Sequence, residues 1–251
     1  MVYTMKIKIL KNYNEVINES YKVLSEYLTK KQDLVLGLAT GETMIGLYSK
    51  MVDDHKKSGI DYSRIKTFNL DEYYGLQRNH AQSYYHYMNK HLFSKVNINE
   101  KNIVFPNTLS NVDASCERYN LALEENKIDL QILGIGSNGH IGFNEPKTSF
   151  KSKTRLVELD KTTRVDNSRF FNDLEEVPTH AITMGIENIL SAKKIILIAS
   201  GSEKSKAISK AIDGPVTELV PASILQRHPN VEVIIDIEAG KNLKGSMNYV
   251  K

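Results

Sequence analysis

Only one cysteine, Cys116, occurs among the 251 residues, so an intrachain disulfide and a cysteine-based zinc cluster are both excluded. It sits in SNVDASCERYN, which has the spacing of an amphipathic helix, where a packed thiol is commoner than a nucleophile. A chain without disulfides reads as a protein of a reducing compartment, most simply the cytoplasm. Long apolar runs are missing too. None approaches the roughly 20 residues that cross a bilayer, and the amino terminus lacks the charged-then-apolar pattern of a secretory signal. Nor is there an excess of one charge: 33 Lys and Arg are dispersed among 30 Asp and Glu, for a net of +3, so neither nucleic acid nor an anionic membrane is an expected partner. No repeat, low-complexity tract or linker divides the chain, and 41% hydrophobic content suffices for a single domain spanning residues 1–251.

What the chain does have is apolar runs alternating with helical stripes. Residues 5–10 (MKIKIL) alternate apolar and charged as a half-buried strand does, and residues 14–28 place Ile17, Tyr21, Leu24 and Leu28 on one helix face. Residues 33–38 are a second apolar run, ending in Ala39-Thr40-Gly41 before a helix at 43–57 with Met44, Leu47 and Met51 on one side. Strand, glycine turn, helix is the arrangement that points N–H groups at an anion. Residues 65–70 predict a third strand, closed by Asp71-Glu72-Tyr73. Neighbouring strand side chains point opposite ways, so these two carboxylates are not a dyad and at most one faces a given pocket. Helices are predicted at 83–93, where the aromatics read as packing, and at 111–126. Strands are predicted at 195–199 and 231–235, with a helix at 203–212 between them. Beyond Pro146 the pattern changes: residues 154–159 and 179–184 alternate, which predicts an inserted antiparallel element, a candidate lid over residues 147–185. Together these predict an α/β protein, a Rossmann-like three-layer α/β/α fold with a mostly parallel sheet and a small inserted lid.

Residues 130–146, LQILGIGSNGHIGFNEP, concentrate the chemistry. A buried-strand run breaks at Gly134 and Gly136 into Asn138, His140 and Glu145: an amide, a group that titrates near neutrality, and a carboxylate. Alone, a histidine beside a glycine turn is more often structural than catalytic. Parallel sheets, however, bind ligands beyond the carboxyl ends of their strands. That rule gathers Thr40-Gly41, Asp71, Asn138 to His140 and Gly201 to Lys204 on one rim, and this convergence weighs more than any one motif.

Five motifs in order, ATGET at Ala39, NLDEYYGL at Asn69, GIGSNGHIGFNEP at Gly134, TRVDNSRFF at Thr163 and GSEKSKA at Gly201, resemble those of the glucosamine-6-phosphate deaminase family over essentially the whole length. The resemblance implies a NagB/RpiA/CoA transferase-like fold. It also implies conversion of D-glucosamine 6-phosphate and water to D-fructose 6-phosphate and ammonia in amino-sugar catabolism, without metal or organic cofactor. It carries ring opening to His140, proton transfer between C2 and C1 to Asp71, and orientation of the histidine to Asn138 and Glu145. Phosphate binding falls to Thr40, Gly41, Thr43, Arg169 and Lys204. Two departures stand out. Part of the family has Asp-Gly-His where this chain has Asn138-Gly139-His140; the amide is expected to accept the imidazole N–H, with Glu145 bearing more of the charge. Glu42 replaces a commonly small residue, and its carboxylate is expected to turn away from the phosphate.

Hexameric relatives are activated by N-acetylglucosamine 6-phosphate through basic residues and the carboxyl-terminal tail. Arg155 fits, but Val157 stands where a lysine is usual and the tail after Lys241 is short, so the expectation is an unregulated monomer or small homo-oligomer. Alternatives are a galactosamine-6-phosphate deaminase or isomerase, since the motifs do not reveal the C4 epimer, and a sugar-phosphate-sensing domain of a transcription regulator. The sensor is disfavoured because Asp71, His140 and Glu145 are all present and no segment is spare for a DNA reader. A metal hydrolase is weaker still, as His140 and Glu145 alone make no ligand set.

Overall fold

The first alternating run forms β1 (Lys6–Leu10), and Asn12 then starts α1 (Tyr13–Lys30) by accepting the Glu15 N–H on its side-chain oxygen at 3.1 Å. A cap of this kind stabilises a helix by about 1 kcal/mol. The computed structural model describes residues 5–168, 171 and 173–244. β2 (Val35–Leu38) leads through Gly41 into α2 (Glu42–Ser58), which ends at Gly59 in the left-handed region. β3 (Lys66–Asn69) is followed, after Leu70 alone, by β4 (Asp71–Tyr73). Next come α3 (Tyr84–His91), capped by Ser83, then β5 (Ile103–Val104) and α4 (Val112–Glu125), capped by Asn111. β6 (Leu130–Leu133) carries the apolar run of the central motif. The inserted region holds β7 (Arg155–Glu158), α5 (Lys161–Ser168) and β8 (His180–Thr183). The chain continues through α6 (Ile186–Leu190), β9 (Ile195–Ala199), α7 (Ser205–Ile212), a 3-10 turn at Pro221–Arg227, β10 (Val231–Asp236) and α8 (Ile237–Gly240).

Seven strands make one parallel sheet in the order β1-β10-β9-β6-β2-β3-β5. All four residues of β6 are buried, as are all five of β9 and six of β10, the signature of strands covered on both faces. Each fully buried aliphatic side chain here, such as Leu130, Ile132 and Leu133, contributes roughly 1.5–3 kcal/mol. From β2 the chain steps outward to β3 and β5, then returns to β6 on the other side of β2 and proceeds to β9 and β10. The order therefore reverses between β2 and β6, and at such a point the loops leaving neighbouring strands diverge and open a crevice.

The second sheet is antiparallel, in the order β4-β8-β7. Asp71–Tyr73, read from sequence as the end of the third strand, is thus a separate strand that changes sheets. Leu70 is the pivot: its N–H donates to the Leu38 carbonyl at 3.1 Å, and its own carbonyl accepts from Met184 N–H at 2.6 Å. Residues 161–168, inside the region expected to be an inserted antiparallel element, form a helix, and α6 and the 221–227 turn were not anticipated. At the opposite end of the main sheet two buried carboxylates are neutralised by lysines, Asp129 by Lys31 and Lys193 at 2.5 and 2.8 Å and Glu232 by Lys8 and Lys194 at 2.7 Å. Among the described residues no helix is long and apolar enough to cross a membrane.

Candidate active site

The crevice between β2 and β6 is a cavity of about 540 Å³. Its walls come from the turn after β2 with Thr40, Gly41 and Thr43; Asp71 at the start of β4; Tyr84 of α3; Gly134 to Ser137, His140, Gly142 and Phe143 after β6; Thr163 of α5; and Lys204 beyond β9, while Asn138 and Glu145 stand behind His140 rather than on the wall. Five of the sequence-derived residues around the expected phosphate and hexose, together with His140, therefore face one space. Arg169 lies outside the described residues.

The first turn is braced by tyrosines. Gly41, at φ 114°, opens α2, and its carbonyl accepts the Tyr87 hydroxyl at 2.7 Å. Tyr48 donates to the Ala39 carbonyl, and Tyr13 donates to the Thr43 carbonyl and accepts the Gly46 N–H, both at 3.1 Å. The carbonyls are thus directed away from the cavity's N–H groups, and the turn is held open at a helix N-terminus, which favours an anion. Glu42 is exposed but still belongs to the cavity wall, as does Glu203, so the outward turn expected for Glu42 takes it to the mouth rather than out of the site. Gly201 is fixed from behind: its N–H donates to both Asp236 oxygens at 3.1 Å.

Asp71 and Glu72 separate as strand geometry requires. Glu72 points away from the cavity and accepts N–H groups of Tyr73, Tyr84 and Tyr85 at 2.8–2.9 Å, closing the start of α3. Asp71, only 6% exposed, faces the cavity. Burial, reinforced by the neighbouring Glu72 charge and opposed by the Phe143 N–H, pushes its carboxyl up to about 8. Gly142 passes so close that a Cβ there would lie 3.3 Å from Asp71 Oδ2, which shows how tightly β4 meets the loop after β6.

That loop is built around one imidazole. His140 lies flat over Gly136, whose added Cβ would fall 2.2 Å from ring carbon Cε1. Nδ1 faces Glu145 Oε1 at 3.3 Å, an ion-pair distance without the alignment of a good hydrogen bond. Nε2 makes no hydrogen bond among the described residues. Asn138 differs from expectation: its Oδ1 accepts the backbone N–H of His140 at 3.1 Å, not the ring N–H, and its Nδ2 donates to Glu145 Oε2 at 2.6 Å. The amide thus shapes the turn and steers the carboxylate, whereas an aspartate at 138 would place a second negative charge against Glu145. Burial works to raise the Glu145 carboxyl, but His140, Thr163 and Asn138 outweigh it and hold it at about 2.

Sequence reasoning missed Thr163, Tyr84 and Gly136 as site residues. Thr163 heads a quoted motif but shows no periodic signal, and its hydroxyl donates to Glu145 Oε1 at 2.5 Å. Tyr84 lines the cavity and stacks on Phe143 with ring centroids 5.9 Å apart; by helical spacing alone it is indistinguishable from a packing aromatic. Only the turn geometry reveals that Gly136 makes room for a ring.

Comparison with known proteins agrees with this arrangement. The model of the glucosamine-6-phosphate isomerases/6-phosphogluconolactonase family matches residues 11–234. A glucosamine-6-phosphate deaminase of Clostridium botulinum (strain Kyoto / Type A2) is 52% identical over 95% of this chain and 99% of its own length. One from Clostridium novyi (strain NT) is 51% identical over 95% and 100%. The solved structure of a monomeric glucosamine-6-phosphate deaminase superposes with a TM-score of 0.93 at 40% identity, covering 95% of this chain and 100% of that one. A Thermotoga maritima 6-phosphogluconolactonase, at 18% identity and TM-score 0.73 over 93% of this chain and 100% of its own, shares the fold. With its motifs, its crevice and these matches in register along almost the whole length, the chain belongs to the glucosamine-6-phosphate isomerase/6-phosphogluconolactonase family.

Proposed function

We propose that this protein is a glucosamine-6-phosphate deaminase, releasing D-fructose 6-phosphate and ammonia from D-glucosamine 6-phosphate and water. The observation that carries this is the shared cavity: a carboxyl held near neutrality and an imidazole open at one edge stand on the same walls as a helix N-terminus and a lysine suited to a dianion. The phosphate sits on Thr40, Gly41 and Thr43, with Lys204 supplying charge and Arg169 the expected second cation. His140 delivers a proton to the ring oxygen and takes one from the anomeric hydroxyl, opening the hexose. Asp71, ionised, removes the C2 proton of the open aldehyde form and returns it to C1, while O1 takes up a proton and the amino group gives one up. The resulting C2 imine adds water, and the carbinolamine expels ammonia to leave the ketone. Glu145, kept anionic, favours the imidazolium whenever His140 holds the proton.

The protein acts without a partner subunit; a monomeric relative at 40% identity supports this. It needs no activator: Arg155, the residue that fits the activator pattern, donates instead to Asn144 Oδ1 at 2.9 Å and to Thr148 Oγ1 at 3.3 Å, which ties it to the His140 loop. The setting is the cytoplasm and amino-sugar catabolism.

The deciding experiment measures ammonia and fructose 6-phosphate from purified protein given glucosamine 6-phosphate, with galactosamine 6-phosphate in parallel. Release from the gluco epimer is the expected result; turnover of the galacto epimer alone would transfer the assignment to that sugar, and turnover of neither would refute it. Lys204→Met is expected to raise KM roughly tenfold to hundredfold with a smaller change in kcat, because it removes charge that holds the phosphate before and during reaction alike. A variant with normal KM would remove Lys204 from the phosphate site.

A further inference from the structure

Among the described residues three groups reach the Glu145 carboxylate, and two of them address the same oxygen. Oε2 accepts from Asn138, while Oε1 faces His140 Nδ1 at 3.3 Å and also accepts the Thr163 hydroxyl at 2.5 Å. Thr163 is 7% exposed, lines the cavity, and is carried by α5 in the inserted region rather than by the loop that holds His140 and Glu145. A carboxylate oxygen that already receives a short hydroxyl bond has less negative charge to offer a second donor. The longer, poorly aligned contact to the imidazole is what such competition produces.

We propose that Thr163 is a positioning residue: its hydroxyl, delivered by α5, occupies the Glu145 oxygen that faces His140 and so sets how firmly the carboxylate holds the imidazole. The ring is thereby kept readier to give its proton to a hexose ring oxygen than a full Glu145–His140 pair would allow. Among the described residues the other titratable groups on the cavity walls are Asp71 from β4, Tyr84 from α3, Glu42 from α2, and Glu203 and Lys204 from beyond β9. These stay in place when the hydroxyl is removed. The helix is itself anchored, since Arg164 Nη2 donates to the Leu174 and Val177 carbonyls at 3.0 and 3.1 Å, so replacing Thr163 does not free α5. The catalytic consequence rests on the deaminase reading; the effect on the imidazole does not.

The test follows the His140 ring by proton NMR titration in wild type, Thr163→Val and Thr163→Ser, its signal among the seven histidines assigned by its loss in His140→Gln. Thr163→Val is expected to raise the His140 midpoint by roughly half a pH unit, Thr163→Ser to leave it at the wild-type value, and Thr163→Val in a Glu145→Gln background to shift nothing further. In steady-state assays the valine variant loses kcat roughly tenfold at unchanged KM, and the serine variant recovers it. An unmoved midpoint in Thr163→Val, an equal shift in Thr163→Ser, or a shift that persists without the Glu145 carboxylate would each overturn the proposal. If neither sugar phosphate releases ammonia, the deaminase reading falls while the titration still decides the role of Thr163.

Discussion

Asp71→Asn is expected to lower turnover by roughly 10²- to 10⁴-fold while making the protein more stable at alkaline pH. Both effects come from one carboxyl. As the proposed base it must be ionised, and its pKa of about 8 places the acid limb of kcat/KM in that region, with activity falling as pH drops through it. The same pKa, raised above the ordinary carboxyl value of 3.8, means that the folded protein binds this proton more tightly than the unfolded chain does. The carboxyl therefore costs nothing below about pH 4, and its cost grows as pH rises to about 8, where it levels off. Asparagine has no such cost, so its stability advantage over wild type should widen between pH 5 and pH 9 by up to about 4 kcal/mol, read as roughly 10 °C in Tm. Burial also raises the adjacent Glu72 to about 7, and the two titrate as a pair. A variant that loses activity while its stability difference stays flat across this range would show that Asp71 is ordinary in its ionisation.

Gly136→Ala is expected to lower kcat about a hundredfold with little change in KM. The backbone at this position is not in the left-handed region, so alanine introduces no conformational strain; its only consequence is the methyl group itself. That methyl would occupy space 2.2–2.4 Å from three atoms of the imidazole, so the ring must swing off its shelf and lose its approach to Glu145. The turn proposed to hold the phosphate is in another segment and stays formed. Unchanged kcat, or a loss expressed mainly in KM, would show that the ring does not act from where it rests.

The elements read most plainly from sequence were those whose burial is continuous. Residues 130–135 are apolar because β6 is covered on both faces, and the stripe at Ile17, Leu24 and Leu28 is the buried side of α1. The rim could be inferred because parallel strands send their carboxyl ends to one side, which is why Thr40, Asp71, His140 and Lys204, far apart in the chain, were expected together and line one cavity. What escaped was set by tertiary placement. Nothing between Asn69 and Tyr73 marks a change of sheet, because Leu70 makes it with backbone hydrogen bonds available to any residue. Asn138 was assigned the ring N–H as its partner, but the tight turn brings the His140 backbone N–H nearer, and the freed amide hydrogens find Glu145. The Thr163 hydroxyl matters only because α5 delivers it.

Leu70 joins two frameworks through the two backbone polar groups of a single residue, its N–H on the large sheet and its carbonyl on the small one. Asp71 comes immediately after that joint, so it is anchored through Leu70 to the strand β2 that leads into the proposed phosphate turn. Displacement of α5 would be absorbed on its own flanks and would leave the span from anion to carboxyl unaltered. The distance between the two is thus set like a ruler by the sheets themselves, and what the inserted region adds to the site is the Thr163 hydroxyl.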